Sequence, residues 1–199
     1  MSHSVLATTV FSGVPRTLLL TTRARVDEHY RLYGILRDPM IADWWSAITW
    51  DVALDGLYQP LGQFGWALRA HIFDGIVQRH LAVQTQAVVV ELGAGLSTRY
   101  YRVGQQSHCW LELDLPPVIS LRHQLETESD RYRLIPRSVV DWSWLDEVPD
   151  CPPENVLILA EGLLMYLEPS EVQTLITQLK QRFAGATLVF DAVGGLTRG

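Results

Sequence analysis

Two hydrophobic rhythms divide the chain. From about residue 84 onward the apolar residues gather into short runs: Val88–Leu92, Cys109–Asp114, a stretch around Leu134–Val140, Val156–Ala160 and Thr187–Phe190. The first, rich in β-branched residues and without polar alternation, is expected to form a strand buried on both faces of a parallel sheet, and the others are expected to be its further strands. Helical patterns separate them. Pro116-Pro117 opens one helix through Leu125, and Pro169-Ser170 opens another with Val172, Leu175, Ile176, Leu179 and Phe183 on one face and Gly185 at its end. Alternating strands and helices predict an α/β fold with a mostly parallel, doubly wound sheet of about five strands in the order 3-2-1-4-5.

The first 83 residues have the other rhythm. A helix is expected over Thr17–Val26, after Pro15, and Asp38-Pro39 turns the chain into a second segment carrying Trp44, Trp45 and Trp50, which read as packing side chains. Over Leu61–Leu81, residues Leu61, Phe64, Leu68, Ile72 and Ile76 recur at steps of three and four, which predicts one apolar helical stripe. A second row runs Gly65, Arg69, Phe73, Val77, where Arg69 stands as a lone cation. Such a guanidinium reaches solvent, pairs with a structural acid, or binds an anionic ligand group. The organisation expected is a helical cap over 1–83 and an α/β core over 84–199, together one structural domain.

Candidate chemistry gathers at the strand ends. The first strand ends on Glu91 and runs into Gly93-Ala94-Gly95-Leu96-Ser97-Thr98, a turn whose glycines permit close approach and whose Ser97 or Thr98 can cap a following helix. A dinucleotide fingerprint requires a third glycine where Thr98 stands. Glu91 puts an acid beneath the loop, which suits a cationic ligand group. The E-x-G-x-G pattern is used by S-adenosylmethionine enzymes, with the acid near the amino group of the methionine moiety; a dinucleotide site and a purely structural turn remain the alternatives. Asp114 closes the second strand 19 residues after Gly95, where nucleotide-binding α/β folds place the acid that grips ribose hydroxyls. Asp141 and Trp142 follow the third strand, as either adenine contacts or a turn with a packed ring. Glu161 and Tyr166 follow the fourth, beside the switch point of the sheet.

Composition narrows the function classes. The 199 residues are 48% hydrophobic and 19% charged, as expected of a globular chain with a sizeable core. A net charge of −6, from 16 basic and 22 acidic residues, argues against nucleic acid or an anionic membrane as the main partner. Cys109 and Cys151 lack metal-ligand spacing, so neither a metal site nor a disulfide framework is expected, and a cytoplasmic location is the default. No apolar run reaches the length of a membrane span.

Four segments in order across residues 88–167, V-V-V-E-L-G-A-G-L-S-T-R-Y-Y-R-V, W-L-E-L-D-L-P, V-V-D-W and A-E-G-L-L-M-Y-L, resemble the leucine carboxyl methyltransferase family. T-L-L-L, R-D-P and A-L-R-A-H-I-F-D nearer the start fit as well, so the resemblance covers nearly the whole chain. That family includes enzymes that methylate the C-terminal leucine of protein phosphatase catalytic subunits, and polyketide O-methyltransferases of the tetracenomycin type. The resemblance implies a Rossmann-like class I methyltransferase fold and S-adenosylmethionine as cofactor. It implies that Arg69 holds the donor carboxylate, with Arg25 as a second basic residue, that Gly93 and Gly95 line the methionine portion, and that Asp114 takes the ribose. Asp141 would meet the adenine with Trp142 beside it, Glu161 would sit by the donor, and Tyr166 would face the acceptor. Many members carry Asp where Ser97 stands. The family's sheet also has seven strands, so a chain ending nine residues after the fifth is expected to be a shortened member. The expected activity is methyl transfer to a hydroxyl or carboxyl oxygen of a small, polyketide-like molecule, without metal. A carboxylate acceptor, with a pKa of about 4, needs no base, whereas a phenol near about 10 benefits from one; His29 and His71 are the candidates. A non-catalytic donor-binding remnant and an NAD-dependent oxidoreductase are the competing classes.

Overall fold

The computed structural model describes residues 17–192; Pro15 lies outside them. Three helices come first: α1 (Thr17–Tyr30), α2 (Pro39–Trp45) and α3 (Pro60–Val83). Thereafter come β1 (Val88–Leu92), β2 (Cys109–Asp114), α4 (Pro116–Arg122), β3 (Tyr132–Pro136), β4 (Val156–Ala160), α5 (Pro169–Arg182) and β5 (Thr187–Phe190). The strands form one parallel sheet in the order β3-β2-β1-β4-β5. The chain reverses its winding between β1 and β4, so the carboxyl ends of β1, β2 and β4 border a crevice.

The two faces of the sheet follow the period of two along each strand. Val88, Val90, Leu111, Leu113, Val156 and Ile158 pack beneath α5 through Leu175, Leu179 and Phe183. Val89, Trp110, Leu157 and Leu159 pack on the opposite face against Phe73 and Val77 of α3 and Ile119 of α4. Glu91 and Glu112 lie two residues beyond Val89 and Trp110 and so share this second face, pointing toward the layer of α3 and α4. Glu112 is there ion-paired with Arg122. A third cluster joins Leu19, Leu20, Ile41 and Trp44 of the N-terminal helices to Leu96, Val118 and Leu121 of the α/β region.

Four elements differ from the sequence reading. Helix α1 continues to Tyr30, four residues past Val26. β3 stops at Pro136 because the chain then turns, with the Asp141 N–H donating to the Ser138 carbonyl. In place of a full helix, the glycine turn leads into a short π-helical stretch, Tyr100–Gly104. Helix α3 shows the largest difference. Leu61, Phe64, Leu68 and Ile72, the stripe expected to be its core face, are exposed, Leu61 to 85%, while Ala67, Ala70, Phe73, Asp74 and Val77 are buried. Asp74 accounts for the rotation: its carboxylate receives Arg99 at 2.8 Å and Arg102 at 2.7 Å, which requires that face to point inward.

Candidate functional site

A cavity of about 540 Å³ opens over the carboxyl ends of β1, β2 and β4. Its floor is the turn after β1, from Gly93 to Ser97, with Asp114 on one side and Glu161 and Gly162 on the other. Thr17, Leu18, Thr21 and Arg25 of α1 and Trp66, Arg69 and Ala70 of α3 close it from above. Gly95 adopts φ +56°, and a Cβ there would sit 2.5 Å from Leu18 Cδ1. The same residue donates its N–H to Asp114 Oδ2 at 2.6 Å, so the second strand's acid braces the first strand's turn. Asp114 Oδ1 accepts the Leu115 N–H at 2.7 Å. Burial raises the Asp114 carboxyl above its usual pKa, against the pull of these two N–H donors.

Under the cavity lies a continuous ionic network. Arg99 donates to Asp74 Oδ1 at 2.8 Å and also to Glu91 Oε1 and Glu161 Oε2. Arg102 bridges Asp74 and, at 2.6 Å, Asp38. Arg25 donates to the Leu96 carbonyl at 2.8 Å and to Thr98 Oγ1 at 3.1 Å, and lies 3.5 Å from Asp38. Burial pushes the Arg25 guanidinium down to about 10, with Asp38 opposing. Burial works against ionisation of Glu161 too, but Arg99 and Arg69 outweigh it and hold that carboxyl below its ordinary range. The Glu91 carboxyl is raised by burial despite Arg99. A side-chain hydrogen bond from Ser97 also favours its charged form, and the side chain lines the cavity.

Most of the sequence-derived candidates converge here: Arg25, Arg69, Glu91, Gly93, Gly95, Asp114, Glu161 and Tyr166 all line the cavity. Arg69, however, already has anions, donating from Nε to Glu161 Oε1 at 2.9 Å and from Nη1 to Asp191 Oδ2 at 3.0 Å. Tyr166 shares a 2.7 Å hydrogen bond with Thr17 at the rim. Asp141 and Trp142 are not brought in. The exposed Asp141 accepts from the Ser143 N–H and hydroxyl, at 3.2 and 2.6 Å, and so caps the turn Trp142–Glu147; Trp142 packs against the core. Arg137, Ser138 and Val139 line that end of the cavity instead, because β3 stops early. Neither His29 nor His71 lines it; His29 Nδ1 accepts the Asp38 N–H at 3.1 Å. Sequence reasoning passed over Arg99 and Asp191. Arg99 lies inside the first quoted segment, eight residues after Glu91, and that spacing was the available signal. Among the described residues no group of His, Cys, Asp and Glu is placed to hold a metal ion, and no helix is long and apolar enough to cross a membrane.

A parallel 3-2-1-4-5 sheet with an acid-flanked glycine turn over its switch point defines a Rossmann-like α/β protein of the nucleotide-binding kind. The family model for leucine carboxyl methyltransferase matches residues 58–180, and the chain belongs to that family. It is 32% identical over 183 residues to the tetracenomycin polyketide synthesis O-methyltransferase of Streptomyces glaucescens, over 92% of this chain and 67% of that protein. The chain thus spans about two thirds of that relative's length. Among solved structures, a precorrin-6y C5,15-methyltransferase from Geobacter metallireducens GS-15 is similar at TM-score 0.44 and 15% identity, over 63% of this chain and 64% of that one. CalO1, a methyltransferase in calicheamicin biosynthesis in SAH-bound form, is similar at 0.40 and 16%, over 96% and 54%. At those scores the likeness adds nothing to the topology already described.

Proposed function

We propose that the cavity binds S-adenosylmethionine and that the protein transfers the donor's methyl group to a hydroxyl or carboxyl oxygen of a small, polyketide-like acceptor. The observation that carries this reading is the convergence of Glu91, Arg69, the Gly93–Gly95 turn and Asp114 on the wall of one cavity. A carboxylate in a cavity wall attracts a cationic ligand group, and the ammonium of an amino-acid end is such a group. Arg69 supplies the complementary cation for the carboxylate of the same end, with Gly93 and Gly95 lining the methionine portion. Asp114, at the end of β2, offers its carboxylate to ribose hydroxyls. The adenine falls to the edge formed by Ser138 and Val139 rather than to Asp141 and Trp142. The family and the tetracenomycin-type relative support the same cofactor and an oxygen acceptor.

The donor supplies an electrophilic methyl on sulfonium; the protein's part is to align the acceptor oxygen and keep water out. Leu18, Leu163 and Met165 provide an apolar wall for that purpose, and Thr17 with Tyr166 provides hydroxyls at the rim. A carboxylate acceptor would arrive ionised and need no proton transfer. S-adenosylhomocysteine is expected to raise the melting temperature, equivalent to about 2.7 kcal/mol at 100 times Kd, and NAD is expected to leave it unchanged. Stabilisation by NAD alone would overturn the reading. Donor binding without methyl transfer to any of a panel of acids and phenols would restrict the function to binding.

A further inference from the structure

Asp191 stands immediately after β5 and joins three elements. Its Oδ1 accepts the Gly162 N–H at 2.5 Å, and its Oδ2 accepts from Arg69 at 3.0 Å. The guanidinium of Arg69 lies flat enough against Gly162 that a Cβ there would come within 2.9 Å of Nη2, and Gly162 has φ +65°. Arg69 is therefore seated, oriented and neutralised by the protein's own carboxylates. Its partners are Glu161 and Asp191, and Glu161 links it to Arg99, which also pairs with Glu91 and Asp74.

An amino-acid end entering this corner brings one ammonium and one carboxylate. Glu91, a carboxylate on the cavity wall, attracts the first. The second meets an arginine that is already occupied, and adding it there would crowd three anions onto one guanidinium. Exchange of one carboxylate for another keeps the charge around Arg69 constant. Asp191 is the partner able to leave, since Glu161 is held by both Arg69 and Arg99 and is 15% exposed, whereas among the described residues Asp191 pairs with Arg69 alone and is 23% exposed.

Resting on the donor-binding reading above, we propose that Asp191 is a built-in competitor for Arg69, occupying the guanidinium in the donor-free protein and yielding it to the carboxylate of the donor. Asp191 is on this account a positioning residue that sets donor affinity against donor release, and it has no part in the methyl transfer itself.

Calorimetric titration of the full chain tests this with two ligands: S-adenosylhomocysteine, and 5′-methylthioadenosine, which keeps the nucleoside and sulfur but lacks the amino-acid end. Asp191→Asn retains an acceptor for Gly162 and removes the charge. It is expected to bind S-adenosylhomocysteine about fivefold more tightly than the parent and to leave methylthioadenosine binding unchanged. Equal or weaker S-adenosylhomocysteine binding overturns the proposal, and so does a matching gain for both ligands, which would signal general loosening of the cavity. A parent protein that binds neither ligand overturns the donor-binding reading itself. Should the variant not fold, amide exchange in the parent decides: the Gly162 N–H should exchange faster with S-adenosylhomocysteine bound than with methylthioadenosine bound, and the reverse order overturns the proposal.

Discussion

Arg99 is 1% exposed and carries a charge that three carboxylates from three elements must offset: Asp74 on α3, Glu91 on β1 and Glu161 after β4. A buried guanidinium of this kind is tolerable only when its fork is filled, and the planar five-donor geometry is what lets one side chain serve three acids. Lysine keeps the charge but cannot reach all three. Arg99→Lys is therefore expected to destabilise the fold by about 3 kcal/mol in urea denaturation; a loss below about 1 kcal/mol would mean that the network contributes no more than a surface pair. The glycine turn and its acids were legible in the sequence because Glu91, Gly93 and Gly95 are contiguous and Asp114 ends the next strand. The partners of Arg69 were not. Arg69 meets Glu161 across 92 positions and Asp191 across 122, and no periodicity encodes such pairings.

Among the elements, α3 shows where pattern reading fails. Its outer row of Leu61, Phe64, Leu68 and Ile72 is more apolar than the inner row, so hydrophobic periodicity selects the wrong face. The inner face carries Ala67 and Ala70, which permit close approach, together with Asp74 and, on its flank, Arg69, whose partners fix the rotation of the helix. The strands were read more accurately, because a strand buried on both faces leaves an uninterrupted apolar run whatever packs against it. β1 and β4 are buried at every position. The third strand is the one displaced, running Tyr132–Pro136 rather than Leu134–Val140, and its early stop at a turn is what removes Asp141 and Trp142 from the cavity. The rotation of α3 can be tested by paired substitutions. Replacing Leu61, Leu68 and Ile72 together by Gln should change stability by less than about 1 kcal/mol, whereas Phe73→Ala alone should cost about 3–5 kcal/mol in the same denaturation assay. A larger loss from the outer triple variant would show that the outer row is the buried one.

For the molecule as a whole, the open question is whether the N-terminal helices and the α/β region fold as one unit. Asp38 sits where they meet. It caps α2 by accepting the Ile41 N–H at 3.1 Å, accepts from Thr98 at 2.5 Å, and pairs with Arg102 at 2.6 Å and Arg25 at 3.5 Å. Three of those four contacts cross between segments, from α2 to α1 or to the residues after β1, and the shared cluster of Leu19, Ile41, Trp44, Leu96 and Val118 surrounds them. Burial opposes ionisation of Asp38, but Arg102 and Arg25 outweigh it and keep the carboxyl below its usual range. The sign of the resulting pH dependence follows from linkage. A depressed folded-state pKa contributes stability that is present above the unfolded value, about 3.9, and is lost as pH falls through the folded value. Asp38→Asn preserves a cap acceptor and removes the charge, so it should cost about 3 kcal/mol near pH 7 through a single cooperative transition, and the gap to the parent should narrow as pH drops below about 4. Denaturation followed residue by residue in NMR spectra, with amides of α1 and α2 reporting the helical layer and amides of β1 and β4 reporting the sheet, measures both features. Coincident curves for parent and variant would establish one folding unit joined through Asp38, and two separated transitions in the parent would show a helical layer that folds independently of the sheet.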